Sequence, residues 1–154
     1  MGTIAHLDKM KKFIYIIVLC WALIPQESIQ AQNLDQVSGT QQKFIKFYFE
    51  AERYKLLEEY DQAIVEYKNC ISIIPEESAP YYQIGKLYLY VFNDIANAEY
   101  YIKEAVALDP KNTWFYYDLI TIYSIQKNNR QKQKIYDKLI EIEPEKQVYY
   151  FENT

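Results

Sequence analysis

The residue types that usually do chemistry are nearly absent from this chain. Its one histidine, His6, lies ahead of an early apolar stretch, so residues 32–154 hold no imidazole to act as general base or metal ligand. Ser–His and Cys–His nucleophile pairs are excluded with it, and no cysteine or histidine spacing suits zinc. The three glycines are scattered as Gly2, Gly39 and Gly85, so no glycine-rich loop can cradle a phosphate. Carboxylates are plentiful (Glu50, Glu52, Glu58, Glu59, Asp61, Glu76 and Glu77), but their spacing fits solvated faces and turns rather than an acid–base pair. The sequence therefore implies no cofactor, no metal and no enzyme. What it has in excess is aromatic rings: 17 Tyr, 7 Phe and 2 Trp. Their chemistry is contact, through large apolar faces and, in tyrosine and tryptophan, a polar tip.

Composition says which elements hold those rings. Half of the residues are apolar, as in a globular chain, and only three glycines and five prolines interrupt them. Few turn formers disfavour a sandwich or barrel and favour helices. The net charge of −4 offers no basic face, so nucleic acid is not an expected partner.

The N-terminal segment reads differently from the rest. Met10-Lys11-Lys12 is followed by an apolar run from Phe13 to Ile24, then by Pro25 and a polar stretch reaching Ala31-Gln32. This order predicts a secretory signal over residues 1–31, with Met10 as the better initiator and cleavage near Ala31. An uncleaved anchor or a buried N-terminal helix is the alternative. The apolar run is short of the roughly 20 residues a membrane span needs, so no stable span is expected after cleavage. Lipidation of Cys20 is disfavoured by its bulky neighbours Leu19 and Trp21. With Cys20 removed, Cys70 has no intramolecular disulfide partner and reads as a buried, inert thiol. The expected location is the periplasm, the cell surface or the medium.

After a linker at 32–42, which includes the start of a first helix, the chain repeats itself. Ile71-Ser72-Ile73-Ile74-Pro75, Val106-Ala107-Leu108-Asp109-Pro110 and Ile140-Glu141-Ile142-Glu143-Pro144 end alike, with prolines 35 and 34 residues apart. Each proline closes an amphipathic run: Ile64, Tyr67, Ile71 and Ile74; Tyr101, Ala105 and Leu108; Ile135, Leu139 and Ile142. Each run follows another helical stretch, over 42–57, 79–91 and 113–126. Polar turns at Glu58-Glu59-Tyr60-Asp61, Asn93-Asp94 and Lys127-Asn128-Asn129 join the two.

A unit of helix, short turn, helix and proline, about 34 residues long, resembles the tetratricopeptide repeat. The unit at 44–77 supplies Phe47, Ala51, Tyr54, Ala63, Tyr67, Cys70 and Pro75 at the motif's bulky, small and aromatic positions. The unit at 78–112 supplies Tyr81, Gly85, Tyr88, Ala98, Ala105 and Pro110, with one extra residue expected in the Asn93–Asn97 turn. The unit at 113–146 supplies Tyr116, Leu119, Tyr123, Tyr136, Leu139 and Pro144, but puts Ile120 and Lys132 where small residues are usual, which leaves its helix crossing open. Residues 147–154 match the start of a further first helix, whose apolar face is an expected edge for self-association. The fold class implied is all-α, an α-solenoid of three helix-turn-helix units.

The resemblance implies a concave surface lined by the first helix of each unit. Its equivalent positions here are Tyr48, Tyr82 and Tyr117, with Phe49, Gln83, Lys86, Leu89, Tyr90, Trp114 and Asp118 nearby. Some members of the family bind a terminal carboxylate through Lys, Asn and Arg at such positions. Tyr48, Glu52, Gln83, Trp114 and Asp118 cannot build that clamp. The expected function is an adaptor that holds a protein or peptide in an aromatic groove. The alternative is a glycan-binding accessory protein of the cell envelope, and a third reading has the tyrosines packing only against neighbouring helices.

Overall fold

The structure, a computed structural model, describes residues 39–146. The expected signal at 1–31, the linker up to residue 38 and the partial unit at 147–154 lie outside the described residues. Six α-helices follow one another: α1 (Gly39–Leu56), α2 (Tyr60–Ile73), α3 (Ser78–Tyr90), α4 (Ile95–Leu108), α5 (Thr113–Ile125) and α6 (Asn129–Ile142). A 3-10 turn at Pro144–Lys146 completes them, and no strand occurs among the described residues. The helices pair as α1–α2, α3–α4 and α5–α6, and each pair packs on the next through α2–α3 and α4–α5. The architecture is an all-α solenoid.

The chain ends its helices the same way in each pair. Ile74, Asp109 and Glu143 cap α2, α4 and α6 with φ of −134°, −134° and −128° and positive ψ, each still donating its N–H to the carbonyl four residues back. The proline that follows excludes the α conformation from its predecessor and has no N–H with which to continue. Within each pair the turn rests on a left-handed residue: Glu58 (φ 61°), Asn93 (φ 52°) and Lys127 (φ 55°). In the first and third pairs the next residue then reaches back, Glu59 N–H to Tyr54 O at 2.9 Å and Asn128 N–H to Tyr123 O at 2.8 Å. Side-chain caps start three of the helices: Asp94, Asn112 and Asn128 accept from the backbone N–H of Asn97, Trp114 and Gln131.

The extra residue of the second unit is not in the Asn93–Asn97 turn. Glu58 to Pro75, Asn93 to Pro110 and Lys127 to Pro144 are equal intervals, so the insertion falls before Asn93. It widens the exit from α3, where Phe92 N–H bonds Leu87 O at 3.1 Å and Asp94 N–H bonds Tyr88 O at 2.8 Å.

Small residues set how closely the helices of a pair approach. Ala51 and Ala63 meet with no exposed surface in the first pair. Gly85 of α3 sits against Ile102 of α4, where an added Cβ would lie 2.5 Å from Ile102 Cγ1 and 3.2 Å from its backbone N. The third pair has Ile120 and Lys132 instead, and α5 and α6 pack less closely than the other two pairs. The core forms three clusters along the axis: Ala51, Ala63, Ile64, Tyr67, Ile84 and Leu87; then Leu89 to Tyr123 around Ile102 and Ile122; then Tyr116, Tyr136 and Leu139. Tyr88, stacked on Tyr101 at 5.7 Å, joins the first two.

Candidate functional site

The first helix of each pair is tied to the next across one face. From α1, Lys55 Nζ donates to Gln83 Oε1 of α3 at 3.0 Å and pairs with Glu52 at 3.0 Å. Glu52 also accepts the Tyr67 hydroxyl. From α3, the Tyr90 hydroxyl donates to Asp118 Oδ1 of α5. Two polar links therefore run α1–α3 and α3–α5, and of the residues expected to line a groove they involve Gln83, Tyr90 and Asp118.

Those residues separate into packed and open ones. Tyr48 is half-buried, stacked on Phe44 at 6.0 Å and edge-on to Tyr67 at 5.6 Å. Burial first, then the charge of Glu52, pushes its phenol up. Tyr82 is half-buried against Phe115, with ring centroids 4.5 Å apart. Its phenol is raised by burial and then by the charge of Asp118, while Lys86 Nζ lies 5.5 Å above its ring. Gln83 is occupied by Lys55. Tyr117 is half-buried, 6.0 Å from Trp114. The open residues are Phe49, Tyr90 and Trp114, with 69%, 58% and 69% of their surface exposed. Trp114 stands at the start of α5, where Asn112 Oδ1 accepts its backbone N–H.

Asp118 is the exception to both groups. It is buried, with one oxygen taken by Tyr90 and the other, Oδ2, without a hydrogen-bond partner. The Tyr90 phenol is pushed up to about 12, by burial first and then by its hydrogen bond to Asp118. Leu89, expected beside the groove, is instead in the core: it is 5% exposed and clusters with Ala98, Ile102 and Leu119. On a helix, Leu89 and Tyr90 point about 100° apart, and here Leu89 turns into the core while Tyr90 stays exposed.

A cavity of about 290 Å³ opens beside these links, lined by Lys55, Tyr60, Gln83, Lys86, Tyr90 and Val91. Lys55 and Tyr60 were not among the expected groove residues. Lys55 reaches the face by its long stem from the last turn of α1, and in the sequence it reads as an ordinary solvated lysine. Among the described residues no group of three or more His, Cys, Asp or Glu is placed to hold a metal ion. None of the described helices is long and apolar enough to cross a membrane.

No protein-family model matches the sequence, and no curated protein matches it. Solved structures do match. The first TPR of Spaghetti (RPAP3), bound to the HSP90 peptide SRMEEVD, superimposes with a TM-score of 0.59 at 20% identity, over 73% of this chain and 95% of that one. MamA superimposes with a TM-score of 0.58 at 20% identity, over 66% of this chain and 58% of its own. Together with the three helix pairs and their closing prolines, these likenesses show that the chain has the tetratricopeptide-repeat fold.

Proposed function

We propose that the chain is a non-catalytic adaptor that binds a protein or peptide segment on the face shared by α1, α3 and α5. The observation that carries this reading is the exposure of Tyr90 and Trp114 beside the α3–α5 link, at 58% and 69%, together with that of Phe49 on α1, at 69%. Rings left this open keep apolar area that a ligand can cover, and aromatic anchors dominate interface energetics. The fold gives a precedent, since the similar Spaghetti domain is bound to a peptide. The lack of any histidine beyond His6 supports a binding rather than a catalytic role.

The test is a binding screen of the purified chain against a randomised peptide library, repeated with Trp114→Ala and Phe49→Ala. Both side chains are exposed, so their removal leaves the core intact. We expect each variant to lose about 1–3 kcal/mol of binding to the selected peptides. Retention of full affinity by both variants sinks the proposal. A glycan array that retains the wild type and releases Trp114→Ala would replace the peptide by a sugar.

Export belongs to the same proposal. It is supported by the basic, apolar and polar order of residues 10–31, and N-terminal sequencing of the mature protein tests it. Self-association through residues 147–154 rests on the renewed sequence pattern there. Sedimentation with and without those residues tests it.

A further inference from the structure

Asp118 is singled out twice. It is the one buried polar or charged side chain among the described residues, at 7% exposure, and its Oδ2 is the one buried side-chain oxygen or nitrogen among them without a hydrogen-bond partner. It makes no ion pair among the described residues. A carboxylate in such surroundings is stabilised by a donor that carries positive charge, and its own fold supplies only neutral tyrosine hydroxyls, that of Tyr90 at Oδ1 and that of Tyr82 beside it. The nearby cation, Lys86, is held over the Tyr82 ring at 5.5 Å.

The surroundings of Asp118 suit a cation brought from outside. Trp114 lies one helical turn before it on the same face of α5, with 69% of its surface exposed and its ring 6.0 Å from Tyr117. The Tyr82 hydroxyl approaches the carboxylate from α3, and its ring already accepts one ammonium group on its π-face. Tyr90 covers Oδ1 with its hydroxyl while 58% of the residue's surface is exposed, so rotation of that side chain frees Oδ1. The net charge of −4 favours the approach of a basic segment.

We propose that Asp118, beneath Tyr90 and flanked by Trp114 and Tyr82, anchors a basic side chain of the bound peptide, arginine before lysine. A guanidinium group is planar, stacks on aromatic faces and donates in a fork that matches a carboxylate, whereas an ammonium group is a more strongly hydrated point charge. This assignment rests on the peptide-binding reading above and adds the chemistry of one ligand position.

The experiment uses the full chain and a randomised octapeptide library. We expect arginine to be enriched at one fixed position among the selected peptides. A selected arginine peptide should then bind at least about tenfold more tightly than its citrulline analogue, which keeps the shape and removes the charge. Asp118→Asn should abolish that difference. Tyr90→Phe, which removes the competing hydroxyl and keeps the ring, should strengthen the arginine peptide a few-fold. Thermal melting of both variants confirms that they fold.

Selection of peptides without a basic residue, or with asparagine or glutamine at the fixed position, overturns the assignment and leaves peptide binding standing. Selection of nothing overturns both. An arginine preference that survives Asp118→Asn, or that Tyr90→Phe does not alter, also overturns it.

Discussion

The Cys70 thiol has no exposed surface, and its Sγ lies 3.6 Å from the Phe44 carbonyl oxygen of α1. Burial first, then the charge of Glu66, pushes it up to about 11 from 9.0. An acid whose folded value is raised stabilises the fold while it stays neutral. That contribution is fully present below 9.0 and is lost as pH rises through to about 11. Urea unfolding should therefore show a decline above about pH 9 to which Cys70 contributes about 1 kcal/mol by about pH 10, beside the contribution of the raised tyrosines. Cys70→Ala should make that decline smaller by about 1 kcal/mol, and an equal decline in the variant would assign the whole effect to the tyrosines. In the native state a thiol reagent should modify Cys70 only after unfolding. The sequence made this residue legible, because a small apolar position of the repeat left it no other place. It did not separate the three equivalent tyrosines. Tyr48, Tyr82 and Tyr117 occupy the same register, and what distinguishes them is what stands opposite: Tyr67, Phe115 and Trp114. Trp114 stands one turn before Tyr117 on α5 itself, whereas Tyr67 and Phe115 come from other helices, so no local pattern reveals them. The same holds for the unsatisfied oxygen of Asp118, which depends on the reach of Tyr90 across from α3.

Between two helices the decisive quantity is the room left for a Cβ. At Gly85 there is none: a methyl group there would come 2.5 Å from Ile102 Cγ1 and 3.2 Å from the Ile102 backbone N. The side-chain contact can relax by a rotamer change, but the backbone contact requires α3 and α4 to separate. Helix propensity alone favours Gly→Ala by about 1 kcal/mol. Overpacking of a close helix contact costs about 1–3 kcal/mol, and with backbone involved the packing cost wins. Gly85→Ala is thus expected to lower stability by about 1 kcal/mol, read by thermal or denaturant unfolding. An Ile102→Ala background, which removes Cγ1, should reduce the cost of Gly85→Ala, while a stabilising Gly85→Ala would refute the close contact. The elements were legible in the sequence for a related reason. Proline and small residues act locally, so Pro75, Pro110 and Pro144 placed the helix ends, and Gly85 and Ala98 placed a crossing. The insertion in the second unit was harder to place. A residue added in a turn or at a helix exit gives the same proline spacing, and only the left-handed Asn93 marks where the registers realign.

Along the whole molecule each pair touches only its neighbours, so stability is close to a sum of pair and interface contributions. The buried clusters are unequal. The middle one extends from Leu89 to Tyr123 and draws on α3, α4 and α5, whereas the last holds Tyr116, Tyr136 and Leu139 and involves the loosely packed α5–α6 pair. Only Tyr136 and Leu139 of α6 are buried, and its exposed face is rich in lysine and glutamine. In a nearest-neighbour array an end with less buried apolar area opens locally at lower free energy than the middle. Hydrogen–deuterium exchange read by mass spectrometry should therefore show the fastest helical amides in α6 and the slowest in α3 and α4. Each difference of 1.4 kcal/mol in opening free energy appears as about tenfold in exchange rate. Equal protection in all six helices would mean that the chain unfolds as one unit and that the loose third pair has no energetic consequence. The face proposed for ligand binding straddles this gradient, because Tyr82 and Tyr90 stand on the well-packed α3 and Trp114 and Asp118 on α5, whose partner α6 is the weak one. A peptide that engages both helices should slow exchange in α5 and α6 more than in α3, since binding contributes most to observed protection where opening is otherwise easiest. Slowing confined to α3 would place the ligand off the α3–α5 link.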